Sequence, residues 1–140
     1  MNDRDHFLFK LAQEQASWSL DPNKKVGCVV ARNGKVLTRG FNQFPKGIAN
    51  TDARWSDKEY KNLIVVHAEA YALLSSNDCH GATLYCTSFL CSTCAGLAIQ
   101  RGISRVVAPA PEPWSSWYRN FTVARSMLQE AGVTIDYTNN

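Results

Sequence analysis

Four residues of this 140-residue chain have the types and spacing that metal-assisted hydrolysis needs: His67, Glu69, Cys91 and Cys94. One imidazole and the two thiols of a Cys-x-x-Cys pair supply three protein ligands for zinc. Structural zinc sites close all four positions with protein, whereas catalytic sites hold three and leave one open. Glu69, two residues past the histidine, is then available as a general acid/base and not as a ligand. Zinc itself is inferred from ligand softness. Taken singly, each piece has a plainer meaning. A Cys-x-x-Cys pair can be a redox couple or half of a zinc ribbon, His67 a core histidine, and Glu69 a solvated helix residue. No second Cys-x-x-Cys exists to close a ribbon, and the coincidence of all the pieces favours catalytic zinc.

The spacing also constrains the backbone. Residues two apart on a helix point to nearly opposite sides, so His67 and Glu69 share a face only if the histidine precedes the first turn. Cys91 and Cys94, three apart, share a face and are expected to open a second helix. Helix N-termini aimed at the thiols favour thiolate.

The elements that must position these groups follow from periodicity. Phe7, Leu8, Leu11, Ala12 and Trp18 recur at helical spacing, predicting an amphipathic helix over Asp5–Ser19 with these residues inward. Asp21-Pro22-Asn23 stops it. Val26–Arg32 and Lys35–Phe41 read as strands joined by Asn33-Gly34, a two-residue hairpin turn. Asn42–Asn62 reads as a long polar connection, a length usually reserved for function, and Leu63–Val66 as extended or buried. A helix over His67–Ser75 packs through Ala68, Tyr71, Ala72 and Leu74. Thr83–Thr87 is a short strand, Ser92–Arg101 a helix ended by Gly102, and Arg105–Ala108 a fourth strand. Trp117–Ala131 is a helix with Phe121, Ala124, Met127 and Leu128 inward, and Val133–Tyr137 the last strand. This order predicts a five-stranded mixed sheet between helices, as a single domain over 1–140.

Composition fits an ordinary globular chain, 45% hydrophobic and 19% charged. No apolar run approaches the ~20 residues that span a bilayer, and the acidic start (Asp3, Asp5) does not read as a secretory signal. Of five cysteines, Cys28, Cys79 and Cys86 are left as small buried or half-buried thiols, so a reducing cytoplasm is the expected compartment, that of the host for a viral chain. His6 and His80 read as surface residues. Between Asn23 and Thr51 stand six basic residues (Lys24, Lys25, Arg32, Lys35, Arg39, Lys46) and no acidic one. That run is either a solvated hairpin face or a basic rim for a phosphorylated ligand.

These motifs, with Ser19-Leu20-Asp21-Pro22-Asn23-Lys24-Lys25-Val26-Gly27, Gly40-Phe41-Asn42-Gln43-Phe44-Pro45 and Gly81-Ala82-Thr83-Leu84-Tyr85, resemble the cytidine/deoxycytidylate deaminase superfamily over nearly the whole chain. The likeness is greatest to the deoxycytidylate (dCMP) deaminases. Leu90 stands where a proline usually precedes the first cysteine, and Gln43 where a glycine is usual.

The resemblance implies a three-layer α-β-α fold. It implies hydrolysis of dCMP to dUMP and ammonia through a zinc-activated water, with Glu69 carrying the protons, as a supply for thymidylate synthesis. It places Asn42 at the pocket wall against the nucleotide's sugar, although a turn asparagine bonding its own backbone has the same appearance. Lys24 and Lys25 are candidates for the 5′-phosphate or an effector triphosphate, and could equally be solvated. Trp114, Trp117 and Tyr118 form an aromatic cluster, with Tyr118 a candidate substrate contact, or else core or interface. Regulation is implied too: activation by dCTP and inhibition by dTTP, each with Mg2+, in a homohexamer. Asn23, Lys25, Phe41 and Gln43 are its candidate effector residues, and Trp55 or Trp117 could anchor a subunit contact. Three rivals share parts of the motif. A tRNA adenosine deaminase would need a basic C-terminal surface, yet Pro109–Asn140 holds Arg119 and Arg125 against Glu112, Glu130 and Asp136. A free cytidine or cytosine deaminase needs no basic rim. A nucleotide-binding sensor needs no Glu69.

Overall fold

The computed structural model describes residues 1–139. The first helix, α1 (Asp3–Ala16), starts two residues earlier than periodicity predicts, because Asn2 and Asp5 form a reciprocal capping box. It also ends earlier, leaving Trp18 beyond the helix. Phe7 and Trp18 are exposed, and Leu8 and Ala12 carry the buried face. α1 lies close against the sheet at Gly27, where any Cβ would overlap the Ala12 carbonyl oxygen and the Ala16 amide nitrogen.

Strands β1 (Gly27–Arg32) and β2 (Lys35–Phe41) form the expected antiparallel hairpin. Asn33 and Gly34 at its tip have φ of 54° and 79°, both left-handed as a type I′ turn requires. With β3 (Thr83–Cys86), β4 (Arg105–Ala108) and β5 (Thr134–Tyr137), the sheet order is β2-β1-β3-β4-β5. β1 pairs antiparallel with β3, and β3, β4 and β5 run parallel. Strand alternation divides the core in two. Val29, Ala31, Tyr85 and Val107 face α1, while Cys28, Val30, Leu84, Cys86, Val106 and Ala108 face the other layer. That layer contains α4 (Ala68–Leu74), α5 (Ser92–Gln100) and α6 (Tyr118–Glu130). In α4 the buried leucine is Leu73, and Leu74 points to solvent. Leu90 is wholly buried in the core on this side.

The Asn42–Asn62 segment is not a plain loop. It holds α2 (Asp52–Ser56) and α3 (Lys58–Ile64), each started by a side-chain cap, from Thr51 and Asp57 respectively. Leu63 lies in α3 and is exposed. Trp55 stacks on Phe44 at 3.9 Å between ring centroids and is buried, which removes it as a subunit anchor. Gln43 and Val66 exchange backbone hydrogen bonds, closing the ends of the segment just before His67. Across the α1 face, buried Asp5 accepts from Arg105 Nη1 and Nη2 at 2.8 and 2.9 Å and from the Tyr85 hydroxyl at 2.7 Å. Among the described residues no helix is long and apolar enough to cross a membrane.

Candidate active site

His67 is the N-cap of α4, with extended backbone (φ −64°, ψ 150°). Its ring therefore leaves the helix start on the same side as Glu69 of the first turn. Cys91 is the N-cap of α5, also extended (φ −74°, ψ 167°), and its Sγ accepts the Cys94 N–H at 3.5 Å. The approach to Cys91 is held by Thr87, whose backbone N–H donates to the Gly27 carbonyl and whose Oγ1 accepts the Gly27 N–H. From α6, Asn120 Oδ1 accepts the Ser92 N–H at 2.8 Å and fixes the start of α5.

These two helix starts bring His67 Nδ1 to 3.5 Å from the sulfurs of both Cys91 and Cys94. Zn–N and Zn–S bonds of about 2.0 and 2.3 Å at the tetrahedral angle place nitrogen and sulfur about 3.5 Å apart. The three atoms therefore fit one zinc ion, and could hold it from one side. Its Cys94 neighbour lowers the Cys91 thiol below its usual range, aided by His67 and the Cys94 N–H and opposed by burial.

Glu69 is buried, and burial is the main cause of a carboxyl pushed above its ordinary range, against the opposing pull of His67. Its Oε1 lies 3.3 Å from Cys86 Sγ and 3.5 Å from Cys28 Sγ. His67, Glu69 and Cys91 open onto a cavity of about 400 Å³, within the range of small-ligand pockets.

Asn42, Asn23 and Lys24 line this cavity, whereas Lys25, Phe41 and Gln43 do not. Asn42 is buried: Nδ2 donates to the Lys24 carbonyl at 3.0 Å and Asp21 Oδ2 at 3.3 Å, and Oδ1 accepts the Val26 N–H at 2.9 Å. The Gln43 side chain folds back to donate to the Phe41 carbonyl at 3.1 Å. Tyr118 is off the cavity; the aromatic wall is Phe89, Trp117 and Phe121, with Trp117 stacked on Phe121.

Sequence reasoning missed Lys58 and Lys61 of α3, which also line the cavity. Lys61 is buried and paired with Asp21 at 2.6 Å. Burial raises the Asp21 carboxyl, but Lys61 and the N–H groups of Asn23 and Lys24 outweigh it and leave the group below its usual range. Nothing in the residue types marks a lysine in a polar segment as buried. The sequence marks Cys28 and Cys86 as buried or half-buried thiols but not as neighbours of Glu69, although strand alternation puts both on one face of the sheet.

Fold and site together define a class, a zinc-binding deaminase domain. Residues 2–110 match the family described as the cytidine and deoxycytidylate deaminase zinc-binding region, and the chain belongs to that family. An uncharacterized deaminase of Aliivibrio fischeri is 34% identical over 133 residues, 93% of this chain and 90% of the relative. The deoxycytidylate deaminase of Saccharomyces cerevisiae is 36% identical over 141 residues, 94% of this chain but only 43% of the yeast enzyme. Among solved structures, the dCMP deaminase of cyanophage S-TIM5 in apo form superposes with a TM-score of 0.79 at 27% identity, covering 99% of this chain and 100% of the phage chain. The same phage enzyme in complex with dCMP and dUMP gives a TM-score of 0.78 at 25% identity, covering 99% of each chain.

Proposed function

We propose that the chain hydrolyses dCMP to dUMP and ammonia, with zinc held by His67, Cys91 and Cys94 and with Glu69 as the proton carrier. The observation that carries this reading is the convergence of one imidazole nitrogen on two sulfurs at 3.5 Å, beside a buried carboxyl in the same cavity. Bound zinc supplies Lewis acidity at its open position, which makes water a nucleophile at neutral pH.

The remaining work falls to the chain. Glu69 accepts a proton from the attacking water, passes one to the ring nitrogen, and helps protonate the departing ammonia. Its buried position in the cavity wall, with burial raising its proton affinity, suits a group that must hold a proton between steps. Phe89, Trp117 and Phe121 exclude water and offer faces for the pyrimidine. Asn42 has both amide hydrogens engaged, so its spare capacity is a lone pair on Oδ1. That lone pair suits a sugar hydroxyl. Asp21 neutralises Lys61, leaving Lys24 and Lys58 as the cavity cations for a 5′-phosphate. The relatives named as dCMP deaminases and the phage enzyme bound to dCMP and dUMP support the same substrate.

The finer reading includes activation by dCTP and inhibition by dTTP with Mg2+ in a homohexamer that supplies thymidylate synthesis. Asn23, Lys25, Phe41 and Gln43 are its effector residues. Its support is the likeness of the Asn23–Pro45 segment to the effector region of this family; the folded-back Gln43 amide occupies a position usually left to glycine.

Ammonia release by zinc-loaded protein on dCMP, with and without dTTP and Mg2+, tests both levels. Turnover suppressed by dTTP is the expected result. Turnover without suppression would remove the regulation alone. Turnover only of cytidine, or of adenosine in tRNA, would overturn the nucleotide substrate.

A further inference from the structure

Cys28 and Cys86 face each other directly across β1 and β3. Both are wholly buried, on the sheet face that packs under the first turn of α4. Their sulfurs are 2.8 Å apart, and both lie against Glu69 Oε1, at 3.3 Å from Cys86 and 3.5 Å from Cys28. These three side chains are of metal-ligating types and lie close together, but two thiolates on one zinc sit about 3.8 Å apart, a full ångström more than is seen. The arrangement is one of donors around a carboxylate.

A thiol has one hydrogen, so two thiols cannot donate in all three contacts. The two shortest form a chain: Cys28 donates to Cys86 Sγ, and Cys86 donates to Glu69 Oε1. Among the described residues only the Cys94 thiol also reaches Glu69, and as a zinc ligand Cys94 would have no hydrogen to donate. We propose that Cys86 is a positioning residue for Glu69, holding the carboxylate by Oε1 so that Oε2 is presented to the cavity, and that Cys28 acts through Cys86 by directing its hydrogen. The two strands make this support rigid, because cross-strand partners move only with the sheet. Such support matters because a misplacement of about 1 Å at a reacting group can cost ~100-fold in rate.

This inference rests on the proposed deaminase reading, and its test separates the two. Cys86→Ser keeps a donor at slightly smaller volume; Cys86→Val loses the donor and adds a methyl group, and Cys86→Ala loses the donor at nearly the volume of serine. Both would be assayed on dCMP beside the unmodified protein, with zinc content and Tm measured on each. The expected result for Cys86→Val is a kcat lowered about tenfold with KM within about twofold, and for Cys86→Ser a kcat within about threefold of the parent. Cys28→Ala should fall between them, and zinc should stay at one per chain. Should Cys86→Val not fold, Cys86→Ala replaces it with the same expected loss. An inert parent protein would sink the deaminase reading. An active parent whose Cys86→Ser falls as far as Cys86→Val, or whose Cys86→Val keeps full kcat, would overturn the positioning role alone. So would two zinc ions per chain.

Discussion

Two clusters of three metal-capable side chains lie on either side of the first turn of α4, and they are built differently. His67, Cys91 and Cys94 come from two helix starts whose N-cap residues are extended; His67 and Cys91 line the cavity, and the ring nitrogen lies 3.5 Å from both sulfurs, as a tetrahedral ion requires. Cys28, Glu69 and Cys86 come from two paired strands and a helix turn, are buried with only Glu69 reaching the cavity, and have sulfurs too close together for one ion. Composition alone does not distinguish the clusters, since each contains two thiols and a titratable partner. Helix starts splay side chains toward a shared point in front of them, while adjacent strands press opposed side chains together. The first geometry leaves space for an ion, and the second leaves space only for hydrogens.

Removing a ligand separates the clusters most sharply. Cys94→Ala should lose zinc and turnover together, read by metal analysis and ammonia release. Glu69→Gln should keep one zinc per chain and lower kcat by about 10²- to 10⁴-fold, the range for general acid–base groups; loss of zinc from this variant would make Glu69 a ligand and dissolve the distinction.

A third change tests the cavity wall that both clusters depend on. Lys61→Met leaves Asp21, a partner of Asn42, buried without its cation. Breaking a buried pair in this way costs about 3–5 kcal/mol, measurable as a lower urea midpoint.

The smallest expected effect lies on the far face of the sheet. Arg105, with Tyr85 and the Asn2 N–H, holds the Asp5 carboxyl far below its usual range despite burial. A carboxyl whose folded pKa is depressed contributes stability that is fully present above its unfolded value of about 3.9 and is lost as pH falls below it. The urea midpoint should therefore drop between pH 5 and pH 2, and Asp5→Asn should flatten that slope. Turnover at pH 7 by Asp5→Asn should match the parent, since Asp5 packs on the sheet face opposite the cavity.

Much of this was legible in the chain because it rests on local chemistry. The Asn33-Gly34 turn, the left-handed stop at Gly102, the bounds of β2 and β4, and the need for His67 to precede its helix all follow from neighbouring residues. What was not legible depends on partners distant in sequence. α2 and α3 are too short to show a period, and are set by the Thr51 and Asp57 caps and by Phe44 stacking on Trp55. Phe7 and Leu74 have helical spacing but fall just off the buried arc, where Leu8 and Leu73 sit. Lys61 is buried only because Asp21 lies forty residues earlier, and Tyr118 gave way to Trp117 and Phe121 because α6 turns it off the cavity. The Cys28–Cys86 contact needed the β1/β3 register, which spacing along the chain does not supply.

The zinc K-edge absorption spectrum of the zinc-loaded protein tests the central distinction most directly. The account predicts one zinc per chain with two sulfurs at about 2.3 Å and two lighter atoms at about 2.0 Å, from His67 and solvent. Three or four sulfurs would draw Cys28 or Cys86 into the metal site and contradict the division between an ion held by helix starts and a carboxylate held by strands.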